Sequence, residues 1–256
     1  MLLQGKRIAI FNIANKRSIA WAIAKSMDAQ GANLILGYQN ERSKAAVQDL
    51  ARELNNSPVA ILPCDVSFPE QVEEVQDSVR EQAGTIHGLV HSLAFAPRES
   101  LQNAYLFTER EHFLTALEIS AYSLVALARA LTPVFSDKAS ITTLTYYGAE
   151  KVMPSYNVMG VAKAALEASV RYLAYDLGPA GVRVNAVSAG PINTVSARGV
   201  SGFLDILEVH EERAPLKRTV EAREVGDTAA FLASDLASGI TGEVIYVDTG
   251  YNIMGF

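Results

Sequence analysis

The chain is short of the residues that would make it a disulfide scaffold, a metalloprotein or a nucleic-acid binder. It has one cysteine, Cys64, in 256 residues, which excludes an internal disulfide. Its four histidines, His87, His91, His112 and His210, are scattered without the spacing of a metal cage, so no metal is expected. Basic residues do not exceed acidic ones: 22 Lys and Arg stand against 28 Asp and Glu, for a formal net charge of −6. No Lys/Arg cluster alternates with aromatics, which argues against a nucleic-acid partner. Residues 1–7 run straight into a short apolar segment without a long h-region, and no apolar stretch approaches the roughly 20 residues a bilayer requires. A soluble, unsecreted, cytoplasmic chain without membrane attachment is expected. Internal repeats, low-complexity tracts and linker-like stretches are also missing, which predicts one domain over residues 1–256.

What is present is an alternation. Short β-rich apolar runs at 7–11, 33–37, 59–63, 88–91, 140–145, 183–188 and 243–247 are separated by helical patterns at 18–29, 41–54, 69–82, 109–131, 155–177 and 222–234. Strands that alternate with helices build repeated βαβ units and a parallel sheet. The expected fold is α/β: a single-domain, Rossmann-like doubly wound sheet of about seven parallel strands with helices on both faces. Gly31 after the first helix and Gly178-Pro179 after the fifth are read as helix stops, where a left-handed cap ends the helical geometry. Residues 189–214 are the least regular part, with Gly, Pro and Ser preceding and interrupting a weak helical pattern, and are read as a mobile loop or lid.

In a doubly wound sheet, ligands bind beyond the carboxyl ends of the strands, where helix N-termini point unpaired N–H groups. The turn after the first strand, Asn12-Ile13-Ala14-Asn15-Lys16-Arg17-Ser18, leads into a helix with Ser18 as its N-cap, although it lacks G-x-G-x-x-G. Tyr156 and Lys163 lie seven apart with no intervening proline. At roughly 100° per residue that spacing puts phenol and ammonium on one helical face, about 10 Å apart along the axis. A cation near a phenol favours the phenolate and makes the tyrosine a better proton donor. A competing pair, Tyr147 and Lys151, has a four-residue spacing, but Gly148 and Pro154 place it in a loop.

Ser18-Ile19-Ala20-Trp21, Asp65-Val66, His91-Ser92-Leu93-Ala94-Phe95-Ala96, Thr145-Tyr146, Tyr156 to Lys163 and Ser188-Ala189-Gly190-Pro191-Ile192 occur in that order. In these segments the chain resembles the enoyl-acyl-carrier-protein reductases, divergent members of the short-chain dehydrogenase/reductase superfamily. Ordinary members place tyrosine and lysine four apart; this subfamily uses seven. The resemblance implies reduction of the trans-2 double bond of an enoyl thioester, with acyl carrier protein as partner and a homotetrameric assembly. It implies that Tyr156 donates to the thioester oxygen, that Lys163 holds the nicotinamide ribose, and that Tyr146 lines the reacting end. It further implies that Ser18, Ile19, Gln39, Asp65, Val66, Leu93, Ile192, Asn193, Thr194, Val195 and Ser196 contact the dinucleotide. Ala96, Met159 and Phe203 are expected at the acyl pocket.

Gln39-Asn40-Glu41 offers no cation before Arg42, and Glu41 would repel a 2′-phosphate, so NADH is expected in preference to NADPH. Three positions depart from the family pattern: Asn12 and Ala22 replace glycines, and Asn193 replaces a basic residue. Asn12 is expected to tolerate a positive φ while its amide crowds the cofactor. Residues 200–207, beside the expected acyl portal, contain no Lys or Arg, which leaves Arg198, Lys217 and Arg218 to receive an acidic carrier. Two other readings stay open: an ordinary dehydrogenase acting on ketones or alcohols, and a non-catalytic reductase-like binding subunit.

Overall fold

The computed structural model describes residues 1–195, 197–199 and 202–255. The described residues form one sheet of β1 (Arg7–Phe11), β2 (Asn33–Tyr38), β3 (Ala60–Pro63), β4 (Ile86–His91), β5 (Phe135–Thr145), β6 (Arg183–Ala189) and β7 (Val244–Val247). All strand pairs are parallel, in the order β3-β2-β1-β4-β5-β6-β7. Successive strands step one way from β1 and the other way from β4, so the crevice between β1 and β4 is the switch point at which such sheets bind ligands.

Both faces of the sheet are covered, by α1 (Ile19–Ala29), α2 (Glu41–Ala51), α3 (Pro69–Ala83), α4 (Glu99–Gln102), α5 (Arg110–Leu117), α6 (Ser123–Leu131), α7 (Asn157–Leu177), α8 (Phe203–Arg213) and α9 (Ala222–Ala233). Because side chains alternate along a strand, β1 feeds two cores. Ile8 and Ile10 join Trp21, Ile23, Met27, Val225 and Leu232 on one face, while Ala9 and Phe11 join Val72, Val79, Leu127, Leu166 and Val170 on the other. Ala22, where the family pattern has glycine, lies at the crossing of α1 with α9. The facing residue there is Gly226, on which a Cβ would stand only 2.7 Å from the Ala22 carbonyl oxygen, so the small residue sits on the opposite helix.

Several expected boundaries change. The helix expected at 109–131 is two α-helices joined by a π-turn, Glu118–Tyr122, which widens the backbone spiral by one residue. With its flanking turns the run Arg110–Val134 is long and apolar enough to cross a bilayer, contrary to the sequence reading, but half of its most apolar window is buried within the fold, with Leu124, Leu127 and Leu131 in the core. The strand expected at 140–145 begins at Phe135. Gly31 takes the predicted left-handed conformation, with φ of 87°, whereas Gly178 does not: its φ is −55°, a 3₁₀ turn follows, and the left-handed residue is Gly181 at φ 77°. The weak helical pattern within 189–214 contains a regular helix, α8.

Candidate active site at the strand ends

The site residues lie beyond the carboxyl ends of the strands because each follows its strand directly. Asn12 leaves β1, Gln39 leaves β2, Asp65 and Val66 follow β3, Leu93 follows β4, Tyr146 follows β5, and Ile192 to Val195 follow β6. Ser196 lies outside the described residues.

At the switch point Asn12 has a φ of 71°, the left-handed value that asparagine accepts more readily than other side-chain-bearing residues. Its amide is engaged within the protein: Nδ2 donates to the Ser92 carbonyl oxygen at 2.8 Å and ties the β1 turn to the β4 turn. Ser18 caps α1, its Oγ accepting from the Trp21 amide at 3.2 Å and donating to the Asn15 carbonyl at 2.8 Å. Ile19 opens that helix and is partly exposed. Beyond β2 and β3 lies a cavity of roughly 470 Å³ whose walls include Tyr38, Gln39, Glu41, Asp65 and Phe68. No Lys or Arg is among its lining residues. Gln39 Nε2 donates to Asp65 Oδ2 at 3.1 Å across it, and the nearby Lys44 is paired with Glu41 at 3.3 Å. This acidic, uncharged-donor lining suits free ribose hydroxyls and repels a phosphate.

Around α7 the structure alters the helical-face argument. Tyr156 is the residue before the helix, and its neighbours Ser155 and Asn157 have positive φ of 63° and 44°. The phenol is therefore placed by a local reversal of backbone hand. Its ring meets Tyr146 edge-on at 5.0 Å, and a Cβ on Gly148 would stand 2.5 Å from Tyr156 Cδ1, so only glycine lets the β5 loop pass this close. The Tyr156 hydroxyl hydrogen-bonds to none of the described residues. The expected acidification is also corrected: burial, then Tyr146 and Glu167, push the phenol's pKa upward. The Tyr156 phenol is thus neutral. Burial likewise raises the Tyr146 phenol.

Lys163 is 5% exposed and donates from Nζ to the Leu144 carbonyl oxygen of β5 at 2.7 Å. Burial lowers its pKa to about 8, against the upward pull of Glu167 one turn on. Thr145 Oγ1 donates to Glu167 Oε1 at 2.6 Å, and burial raises that carboxyl. The i,i+4 spacing from Lys163 could have drawn Glu167 from the sequence. Next door, buried His91 is held neutral, its pKa lowered to about 3 by burial and then by Lys163. Ser123 gives its proton to the Ile119 carbonyl at 2.7 Å, so His91 donates from Nε2 to Ser123 Oγ and accepts at Nδ1 from Thr143, both at 2.8 Å. The π-turn contributes Ser120, whose Oγ accepts from the Phe95 amide and donates to the Phe95 carbonyl, both at 3.0 Å, fixing the loop that carries Leu93 and Ala96. No spacing rule points to Ser120 or Ser123.

Of the acyl-pocket candidates, Ala96 and Met159 share a small apolar cluster with Val158, Phe113 and Tyr156. Phe203 is buried at the start of α8, outside that cluster. Asn193 is exposed, and its Oδ1 accepts from Arg198 Nε at 2.8 Å; Thr194 Oγ1 accepts from the Ala197 amide at 3.0 Å, and Val195 is exposed. Tyr147 and Lys151 do not form a pair, since Tyr147 donates to the Asn252 carbonyl at 3.3 Å while Lys151 is exposed.

A doubly wound parallel sheet with a tyrosine and a buried lysine gathered at the β5 end defines a short-chain dehydrogenase/reductase. A family model described as enoyl-(acyl carrier protein) reductase matches residues 13–252. The chain is 53% identical over 251 residues to the NADH enoyl-acyl-carrier-protein reductase of Bacillus subtilis, covering 98% of this chain and 97% of that one. It is 49% identical over 250 residues to a Staphylococcus aureus reductase named for NADPH, covering 98% of each. The crystal structure of the Bacillus cereus enoyl-acyl carrier protein reductase with NADP⁺ and an indole naphthyridinone matches with a TM-score of 0.98 at 52% identity, covering 100% of this chain and 99% of that one. The chain belongs to the enoyl-acyl-carrier-protein reductase family.

Proposed function

We propose that the protein reduces the trans-2 double bond of enoyl thioesters carried on acyl carrier protein, with NADH as reductant, in fatty-acid biosynthesis. The observation that carries this reading is full-length family membership combined with Tyr146, Tyr156 and Lys163 gathered at one strand end. When bound, NADH supplies a hydride to the β-carbon of the enoyl group. Negative charge then grows on the thioester oxygen; Tyr156, a neutral phenol whose hydroxyl no described residue claims, donates a hydrogen bond to it, and a solvent proton taken up at the α-carbon completes the saturated thioester. A donor that bonds more strongly as charge develops lowers the barrier more than it stabilises bound substrate. Tyr146 packs edge-on against Tyr156 and fixes the angle from which that hydroxyl approaches. Lys163 directs ammonium protons toward the nicotinamide ribose and contributes positive potential. Asn12, Ser18, Ile19, Gln39, Asp65, Val66, Leu93 and residues 192–196 hold the dinucleotide; Ala96, Met159 and Phe203 border the acyl chain.

The relatives differ in the nucleotide they are named for or crystallised with, so the preference for NADH rests on the lining of the β2–β3 cavity. The decisive assay follows oxidation of NADH with crotonyl and longer enoyl thioesters. Turnover of these, little turnover of acetoacetyl or simple ketone substrates, and higher efficiency with NADH than NADPH are the expected results. Ketone reduction without enoyl reduction would establish the ordinary dehydrogenase reading, which the separation of Tyr147 from Lys151 already disfavours.

The non-catalytic reading loses its ground because the Asn12 amide is bound to Ser92. Asn12→Gly removes one hydrogen bond worth about 1 kcal/mol and relieves a backbone cost of similar size, so stability should stay within about 1 kcal/mol. The Kd for NADH should change by less than about fivefold on the same arithmetic. A gain of a hundredfold in fluorescence titration would show that Asn12 blocks the crevice.

Residues 189–214 act as the lid over the cleft within a single 1–256 domain, the enzyme works in the cytoplasm, and it assembles as a homotetramer. Exposed Tyr172 and Tyr175 on α7, three apart and so on one face, with Leu114 and Tyr122 exposed on the adjoining helical run, suit burial between subunits. The carrier-docking cations are partly committed. Arg218 is bound to Glu224 at 2.6 Å and Lys217 to the Glu212 carbonyl at 2.6 Å, which leaves a weak basic patch for an acidic carrier.

A further inference from the structure

α8 is held to the body of the protein by very little. Its buried residues are Phe203 and His210, seven apart and therefore on one face about two turns from each other. His210 is 2% exposed and reaches two separate segments, the turn after β7 and the turn after β6. Its Nε2 lies 3.0 Å from Thr249 Oγ1, and its ring stacks on Tyr251 with centroids 4.7 Å apart and planes 16° from parallel. A Cβ on Gly190, in the turn after β6, would stand 3.1 Å from His210 Cε1. The Thr249 hydroxyl faces two carbonyls, of Asp248 at 2.6 Å and Arg218 at 3.0 Å, and gives its proton to one of them. The imidazole, kept neutral by burial, is accordingly the donor from Nε2. Thr249 itself is a β-branched residue at φ 57°, a conformation that persists only where surrounding bonds impose it.

We propose that His210 is a positioning residue for the acyl pocket: through its bond to Thr249 and its stack on Tyr251 it sets the depth at which Phe203, at the other end of the same helical face, meets the distal acyl chain. The proposal rests on the enoyl-thioester reading above and on its assignment of Phe203 to the acyl chain. It separates the binding of long acyl chains from the chemistry at Tyr156, because His210 touches neither Tyr156 nor Lys163.

The test compares His210→Phe, which keeps a stacking ring and loses the donor, with His210→Gln, which keeps a donor near the Nε2 position. His210→Phe should raise KM for a long-chain enoyl thioester roughly five- to thirtyfold, the effect of one lost buried hydrogen bond. Its kcat should stay within about twofold and its KM for crotonyl thioester should not change, because the proposal assigns Phe203 to the distal part of a long chain. His210→Gln should restore the long-chain KM. Thr249→Val should reproduce His210→Phe, and the double variant should be no worse than either alone, as expected of two residues sharing one interaction. Limited proteolysis should cut α8 faster in His210→Phe than in the wild type or His210→Gln. Equal KM changes for short and long thioesters, or additive effects of the two substitutions, would overturn the proposal. If the wild type turns over no enoyl thioester, the functional reading fails separately. The proteolysis comparison then decides alone: unchanged cleavage sinks the anchoring role, and faster cleavage rescued by Gln supports it.

Discussion

Tyr156→Phe should lower kcat/KM for enoyl thioesters by roughly 10²–10⁴, about 3–5 kcal/mol of transition-state stabilisation, with little change in KM. The phenol sits at the cleft with its hydroxyl unclaimed by any described residue, and burial holds it protonated. A neutral, preoriented donor aimed at an oxygen that acquires charge affects kcat rather than binding. Stability should hardly move, because the lost hydroxyl makes no bond to any described residue and the ring that packs against Tyr146 and Gly148 remains. Steady-state kinetics with octenoyl and crotonyl thioesters, beside a thermal melt, reads both halves. A variant that keeps more than about a third of wild-type kcat would remove Tyr156 from the chemistry.

That placement was only half legible in the amino-acid order. The sheet could be read because β1 and β2 are buried on both faces and show as apolar runs, and the other strands as short β-rich segments, between helical patterns. The strand ends then follow, and with them Asn12, Gln39, Asp65, Leu93, Tyr146 and Ile192. Hidden from the sequence were features set by tertiary context. The π-turn at Glu118–Tyr122 keeps an apolar pattern close to that of an α-helix, so one continuous helix was expected. The positive φ of Ser155 and Asn157 leaves no composition signal, and helical-wheel arithmetic put Tyr156 inside a helix that begins after it. The acidification of the phenol failed for a related reason: desolvation acts on the phenol directly and dominates, while Lys163 is tied to the Leu144 carbonyl. Gly178 looked like the left-handed stop because it precedes a proline, yet a proline at the second position of a 3₁₀ turn is compatible with the turn, and the reversal waits until Gly181. Asn12 shows the opposite case, since the residue that looked least suited to its turn takes the required φ and gains a bond across the switch point.

Lys163→Met should abolish most activity, by about 10² or more in kcat/KM, without lowering stability at neutral pH. The two effects have one cause. The folded protein holds the ammonium in a buried site where its pKa is lowered to about 8 from 10.5, so folding disfavours the charged form. Between pH 8 and 10.5 the unfolded chain binds more protons than the folded one, and stability from this group rises with pH across that window; below pH 8 the penalty is fully present and constant. At pH 7 it amounts to on the order of 3 kcal/mol. Methionine removes it, at the cost of leaving the Leu144 carbonyl unpaired, about 1–3 kcal/mol. The melting temperature at pH 7 should therefore equal or exceed that of the wild type, and the variant's relative advantage should shrink toward pH 10. The activity profile has the opposite sense. Wild-type kcat/KM should fall as pH rises through about 8, where Lys163 loses the charge that supports the cofactor ribose and the developing enolate, and that limb should be absent from the residual rate of the variant. A profile flat to pH 9 in the wild type, or a basic limb retained after the substitution, would assign the titration elsewhere and leave Lys163 as a structural tie to β5.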